Sequence, residues 1–264
     1  MNLYDASNWR VEGDRAFGEI PPGWAQGRAA FGGLVVQSAL KALRALEPEG
    51  RPLRSVLTNF VGPALEGPIE AELRVLRSGR SVTHTQAIVM QEGSVRTVVI
   101  ACFGGSRPTT LTLPSPAMPS VPGPEGLPPM PLMKGLIPDF LQNFDVRVLE
   151  GIPFTGSAIP RVRWWMRPSA DTPIEESTLA GLFDLPPPPI LPMATAPFPS
   201  SSLTWQLDVL EAPKAEDEWW FYEGDTSFAG QGYADLNACL WARDGRMLAR
   251  GRQLFTEFSG RVSK

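Results

Sequence analysis

The stretch FGGLVVQSALKALRAL, residues 31–46, decides the fold of this chain. Leu34, Val35, Ala39, Ala42, Leu43 and Leu46 recur at helical spacing and Pro48 closes the segment, so it reads as a mostly buried helix. Four strand candidates follow, at residues 53–61, 69–76, 82–91 and 95–103, separated by the turn-forming Gly62-Pro63, Ser78-Gly79 and Glu92-Gly93-Ser94. In the second of them Ile69, Ala71, Leu73 and Val75 alternate with Glu70, Glu72 and Arg74, which gives one packed face and one wet face. A buried helix followed by a four-stranded antiparallel meander is an α+β plan.

The same order recurs further along. Between the copies, residues 107–131 carry nine prolines, which interrupt any helix or central strand and mark a linker. Beyond it Thr172 can cap a second helix, Pro173 fits its first position, and Glu175 and Glu176 suit the positive end of its dipole. Leu179, Leu182 and Phe183 supply apolar contacts before Pro186 stops it. Strand candidates at 203–210, 219–223, 232–241 and 247–258 follow, the last two joined by a turn at Arg243-Asp244-Gly245. Residues 79–104 and 227–255 are therefore equivalent pieces of two copies. The chain divides into an N-terminal unit at 1–106, a proline-rich linker at 107–135 and a C-terminal unit at 136–264.

Bulk properties narrow the function. The 264 residues suit one large or two ordinary domains, and a net charge of -4 lacks the basic excess that would draw the chain onto nucleic acid. No apolar run reaches the roughly 20 residues of a membrane span, and residues 1–10 lack a signal-peptide pattern, so the expectation is a cytoplasmic protein without a membrane partner. Cys102 and Cys239 stand far apart in apolar segments and read as reduced, buried thiols. His84 is the sole histidine, set mid-strand, and no GxSxG elbow accompanies it, which argues against a Ser-His-Asp or Cys-His hydrolase and for a satisfied strand histidine. One histidine and two scattered cysteines give no metal cluster, and no phosphate-cradling loop is present; no cofactor is called for. The adjacent pairs Trp164-Trp165 and Trp219-Trp220 read as packing residues before ligand-stacking ones.

Three segments carry a family likeness. AFGGLVVQSAL at 30–40, LRSGRSVTHTQAIVMQEG at 76–93 and WARDGRMLARGRQLF at 241–255 resemble the acyl-CoA thioesterase II family, more strongly in the first half than in the second. The resemblance implies a tandem double hot-dog of the α+β class, with two antiparallel sheets each wrapped around a long helix and one active site shared by both halves. It also implies acyl-CoA as substrate and a trio made of an acid on the second helix, a hydroxyl at the start of the next strand and a glutamine on the last strand. These positions correspond to Asp184, Ser202 and Gln253. Ser202 stands where a threonine is usual, Thr204 and Trp205 replace an acid-plus-histidine pair, and Pro186 to Pro189 follow Asp184 where the family has an apolar loop.

The residues can be weighed without the family. Asp184 lies at a helix C-terminus, which disfavours a negative charge by roughly 0.3 to 1 kcal/mol, so it is either a solvated helix end or an acid held there for use. Aligning the two helices sets Val36 opposite Asp184, and only the second copy carries the acid. Gln253 shares a strand face with Met247, Ala249, Gly251 and Phe255, where its amide must find either a structural network or a water and substrate carbonyl. Thr204, expected on the face of Ser202, rivals it as the hydroxyl. Gly32 and Gly33 open the first helix with bare N–H groups that could meet an oxyanion, or serve close packing, or both. Arg77 and Arg80 are the candidates for coenzyme A phosphates. The expected chemistry is general-base hydrolysis without a covalent intermediate, with the acyl chain in a tunnel between the two helices. The alternative is a non-catalytic acyl-CoA or acyl-ligand-binding hot-dog; an enoyl-CoA hydratase would want an Asp-plus-His pair on a helix. A homodimer is implied by family resemblance alone.

Overall fold

The structure, a computed structural model, describes residues 1–132, 137–169 and 171–260. The expected boundary at 135/136 lies outside the described residues. The N-terminal half holds a short helix α1 (Leu3–Ala6), the hairpin β1 (Arg10–Glu12) and β2 (Arg15–Ile20), and a small ribbon β3 (Ala25–Gln26) and β4 (Ala29–Ala30). The long helix α2 (Gly32–Arg44) follows, then β5 (Leu53–Phe60), β6 (Gly67–Ser78), β7 (Val82–Gln91) and β8 (Ser94–Gly104). The C-terminal half runs β9 (Phe144–Glu150), β10 (Arg161–Pro168), α3 (Thr178–Phe183), β11 (Ser200–Val209), β12 (Trp220–Asp225), β13 (Ala229–Gly230), β14 (Tyr233–Ala242) and β15 (Met247–Glu257).

The strands form one continuous sheet in the order β1-β2-β6-β7-β8-β5-β11-β15-β14-β12-β10-β9, with β13 beside β14. The expected four-strand meander is corrected in one respect: β5 lies next to β8 and not next to β6, and β11 likewise lies next to β15. That placement frees the far edges of β5 and β11 to pair with each other and fuse the halves. Ser55 pairs with Asp208 and Asn59 with Thr204, so exchanging the two strands reproduces the same register. Both strands also carry a bulge at the same place, between Leu53 and Ser55 opposite Phe103 and Cys102, and between Ser202 and Thr204 opposite Phe255 and Leu254. The two copies are thus related by a local two-fold axis through the strand junction.

Helix α2 is the spine. Leu34, Val35, Val36, Leu40 and Leu43 are buried against the sheet, each contributing roughly 1.5 to 3 kcal/mol of apolar burial. Helix α3 departs from the reading of two long helices, for it spans six residues. Thr172 turns back on the carbonyl of Ser169 at 2.8 Å, and Pro173 lies outside the helix. Glu175 and Glu176 do not sit over the dipole of α3 but reach across to the other half. Glu176 pairs with Arg44 and accepts from the Leu53 N–H at 2.8 Å, while Glu175 lies 3.7 Å from Lys41.

The proline tract is a strap. Trp165 and Trp241 donate their indole N–H groups to the carbonyls of Pro122 and Pro116 at 2.8 and 3.1 Å. Met118, Val121 and Leu127 close over a second cluster of Trp165, Trp219, Phe221, Trp241 and Met247. Trp164 and Trp220 belong to the main core, so all four residues of the adjacent pairs are packing residues. Met247 therefore leaves the face of Gln253, because a register shift between Leu240 and Trp241 turns it to the strap side.

Candidate active site

The N-terminus of α2 has no cap of its own. Phe31 precedes Gly32 and has no side-chain oxygen to accept from the first-turn N–H groups, which leaves them for a partner from elsewhere. That partner is Asp184, the residue that ends α3, whose carboxylate accepts from the backbone N–H of Gly33. The acid placed against the dipole of its own short helix thus sits at the positive end of a longer one. A Cβ built on Gly32 would lie 2.8 Å from Asp184 Oδ2, and one on Gly33 would lie 3.1 Å from the Asp184 Cβ. Glycine is required at both positions, because the Asp184 carboxyl and the Phe60 ring fill the space at Gly32 and the Phe31 ring, at 2.5 Å, fills it at Gly33. Close packing is thus seen at both glycines, and the group packed there is Asp184.

The strands supply the remaining groups. Gln253 donates from Nε2 to Asp184 Oδ1 at 3.3 Å and to Ser202 Oγ at 2.6 Å, which uses both amide hydrogens and leaves Oε1 unoccupied by that pair. Ser202 accepts through its oxygen, so its own proton remains to be donated. Asp184, Ser202 and Gln253 therefore meet, and Gly32 and Gly33 of the other half close the group. Asp184 keeps some access to water although it is surrounded by protein on most sides. Burial pushes its carboxyl up to about 7, against the opposing effect of the Gln253 and Gly33 hydrogen bonds.

Other expected residues lie elsewhere. Thr204 is exposed and does not share the face of Ser202, because the bulge inserts Leu203 between them and reverses the alternation; it pairs with Asn59 across the strand junction. Arg77 and Arg80 are also exposed. Arg51, which binds the Arg80 carbonyl and pairs with Glu47, ties that corner to the C-terminal end of α2, about 18 Å of helix from Gly32. His84 is exposed on β7, where solvent takes the place of the expected partners. The two thiols are half-buried; burial raises both, Cys239 to about 11. The tunnel between the helices is also corrected: α2 and α3 cross in direct contact, Gly33 against Asp184 and Gly181 against Gln37. Sequence reasoning missed Phe60, whose ring lies 3.1 Å from the Cβ position of Gly32. Its place after inward-facing Val56 and Thr58 on β5 was the available signal.

Among the described residues no three histidine, cysteine or acidic side chains are grouped to hold a metal, and no helix is long and apolar enough to cross a membrane. Comparison with known proteins gives two family matches: an acyl-CoA thioesterase N-terminal domain over residues 20–104 and an acyl-CoA thioesterase C-terminal domain over residues 124–256. No curated protein matches the chain in sequence. Among solved structures, a hot-dog protein of unknown function from Alicyclobacillus acidocaldarius is similar at a TM-score of 0.88, with 24% identity over 97% of this chain and 98% of that one. A putative thioesterase II from Thermobifida fusca YX is similar at 0.84, with 22% identity over 97% of both chains. A tesB protein from Mycobacterium avium subs paratuberculosis is similar at 0.81, with 20% identity over 97% and 98%. The fold is a double hot-dog, and with both domain models matched in order this chain belongs to the acyl-CoA thioesterase family of thioester hydrolases.

Proposed function

We propose that this protein hydrolyses acyl-CoA to free acid and coenzyme A by direct attack of a water held and deprotonated by Asp184. The observation that carries the reading is one carboxyl, poised near neutrality, at the meeting point of the two halves with an amide and a hydroxyl bound to each other beside it. A base works best when its pKa lies near the working pH, and burial brings Asp184 there. Gln253 fixes the orientation of both Asp184 and Ser202. The free proton of Ser202 and the Oε1 of Gln253 are placed to bind the attacking water. The Gly33 N–H is already committed to the carboxylate, so the Gly32 N–H is the donor assigned to the oxyanion. Thiolate leaves readily, so one base and one or two donors suffice without a covalent acyl-enzyme.

Absence of a competing nucleophile among these groups supports the same reading. Ser202 has no base in hydrogen-bond reach to take its proton, since its one bond is accepted from an amide. The test is thiol release across a panel of acyl-CoA esters with parent and Asp184→Asn proteins. Parent turnover with an acid limb near pH 7, and a loss of about 10²- to 10⁴-fold in kcat in the variant, are expected. Equal turnover by a folded Asp184→Asn protein would refute the assignment.

A further inference from the structure

Phe183 ends α3 directly before Asp184, and its ring is buried. The tip of the ring rests on β15 at Gly251, where an added Cβ would lie 2.9 Å from two ring atoms and nearer still to the Gln206 carbonyl. Gly251 and Gln253 are successive inward positions of β15, so Phe183 and Asp184, consecutive in the chain, stand over consecutive sites on one strand. Trp205 stacks on the ring at 6.0 Å between centroids, and Tyr222 meets it edge-on at 5.6 Å. The proposed reaction uses none of the three rings. From this packing, and resting on the proposed role of Asp184, we infer that Phe183 is a positioning residue: its ring, seated in the space left by Gly251, holds the Asp184 carboxyl against Gln253 and covers it from water.

The matching corner of the other half shows that the fold does not need this arrangement. By the two-fold relation Val35 corresponds to Phe183, Val99 to Gly251 and Val56 to Trp205, and all three valines are buried. Residues of middling size fill the space there without an aromatic ring or a glycine. Beside the acid the same space is divided unevenly, with a large ring on the helix and no side chain on the strand. A ring enclosed by Gly251, Trp205 and Tyr222 keeps one rotamer, and Asp184 is joined to it by a single peptide bond. Such an anchor matters because a reacting group misplaced by about 1 Å can cost on the order of 10²-fold in rate. The groups that other elements bring to the acid are uncharged: the Gly33 N–H from α2, Ser202 from β11 and Gln253 from β15. Tyr222 of β12 senses the Asp184 charge, but burial first and that charge second raise its phenol well above the ordinary value, so it stays neutral. Cover, and not a neighbouring charge, therefore governs where Asp184 titrates.

Removing the ring should move two readings that lost stability alone leaves in place. In Phe183→Ala, kcat on acyl-CoA esters should fall about 10- to 100-fold with KM changed by less than about threefold. Its acid limb should move from near pH 7 to below about pH 6 as water reaches the carboxyl. Phe183→Leu refills part of the space and should lie between the parent and Phe183→Ala in both readings. Val35→Ala opens a gap at the matching corner and should lower the melting temperature while leaving kcat and the limb unchanged. Carboxyl-carbon NMR titration of Asp184, with the signal assigned by its loss in Asp184→Asn, follows the same movement without turnover and so separates this inference from the proposed reaction. A downward move of that titration in Phe183→Ala supports the positioning role even if no ester is hydrolysed. Parental kcat or an unmoved Asp184 titration in a folded Phe183→Ala protein overturns it, and so does an equal loss of kcat in Val35→Ala. Should Phe183→Ala fail to fold, Phe183→Leu decides the matter by the same readings, with a loss of about three- to tenfold in kcat expected.

Discussion

The two-fold relation between the halves builds two equivalent corners, and only one of them holds an acid. At the first, Asp184, Ser202 and Gln253 gather against Gly32 and Gly33. At the second, the matched bulges superpose Leu53 on Ser202 and Ala101 on Gln253, and the helix alignment superposes Val36 on Asp184. Leu53, Ala101 and Val36 are all buried and apolar. Gly181 stands where Gly33 stands, yet a Cβ on it would lie 2.8 Å from Leu3 of α1 and 2.7 Å from the Gln37 Oε1, so the N-terminal helix plugs this corner. The same architecture closes with valine, leucine and alanine at the three matching positions, and its buried amide, Gln37, donates to Ser7 Oγ at 3.2 Å. A carboxyl at this place is therefore not a requirement of folding, and one carried at a single corner points to use.

Making the polar corner resemble its twin is the strongest way to break the comparison. Asp184→Val should lower kcat on acyl-CoA esters by at least about 100-fold, the lower bound for loss of a general base, while the protein still folds. A thiol-release assay beside a thermal melt reads both, and turnover within tenfold of the parent would remove Asp184 from the chemistry.

The reverse exchange should fail as a fold before it gains any activity. Val36→Asp puts a carboxylate into a fully buried position with none of the donors Asp184 enjoys, at a cost of roughly 3 to 5 kcal/mol. Denaturant titration should show that loss at pH 7 and a smaller one below pH 4, where the acid is neutral. A loss under 1 kcal/mol would mean that the twin corner is open to water and not plugged.

Asp184 itself should cost stability above neutrality. Its carboxyl moves from 3.8 to about 7 in the folded chain, so the folded state binds the proton more tightly than the unfolded one. Stability then falls as pH rises from about 4 to about 7 and stays reduced above that. Asp184→Asn, which keeps the shape, should be more stable than the parent at pH 8 by no more than about 4 kcal/mol, less where water reaches the group, and equal to it below pH 4. A variant no more stable at pH 8 than at pH 4, relative to the parent, would place the carboxyl in ordinary solvation.

Periodicity made most of this legible. The alternation in β6, β7, β14 and β15 reports one packed face, and the apolar run of α2 reports a helix buried almost all round. β10 escaped although Arg161, Arg163 and Arg167 alternate with Val162, Trp164 and Met166, because Trp165 interrupts the outer face and enters the cluster under the proline strap. An apolar residue on the outer face needs a cover, and the cover of Trp165 lies some 40 residues earlier in the chain. The length of α3 was misread because Glu175 and Glu176 look like first-turn acids, whereas their partners are Arg44, Lys41 and the Leu53 N–H on the other half. At the site, the acid, the amide and the glycines could be placed by resemblance and by the repeat, but the choice of hydroxyl depended on a bulge that leaves no mark in composition.

That bulge yields the smallest and most discriminating expectation. Regular alternation would put positions 202 and 204 on one face and make their hydroxyls interchangeable. With Leu203 inserted, Ser202 turns inward to accept from Gln253 at 2.6 Å, and Thr204 turns outward to face Asn59 across the junction. Ser202→Ala removes a group bonded to the trio and should cost about tenfold in kcat, near the strength of one hydrogen bond to a reacting network. Thr204→Ala removes an exposed methyl and hydroxyl and should change kcat by less than about twofold, in line with a surface substitution. Parallel steady-state measurements on the two variants decide the matter. Equal losses would mean that the bulge does not separate the faces in solution, and a larger loss at 204 would transfer the hydroxyl role to the outward residue and dissolve the correspondence between Ser202 and Leu53.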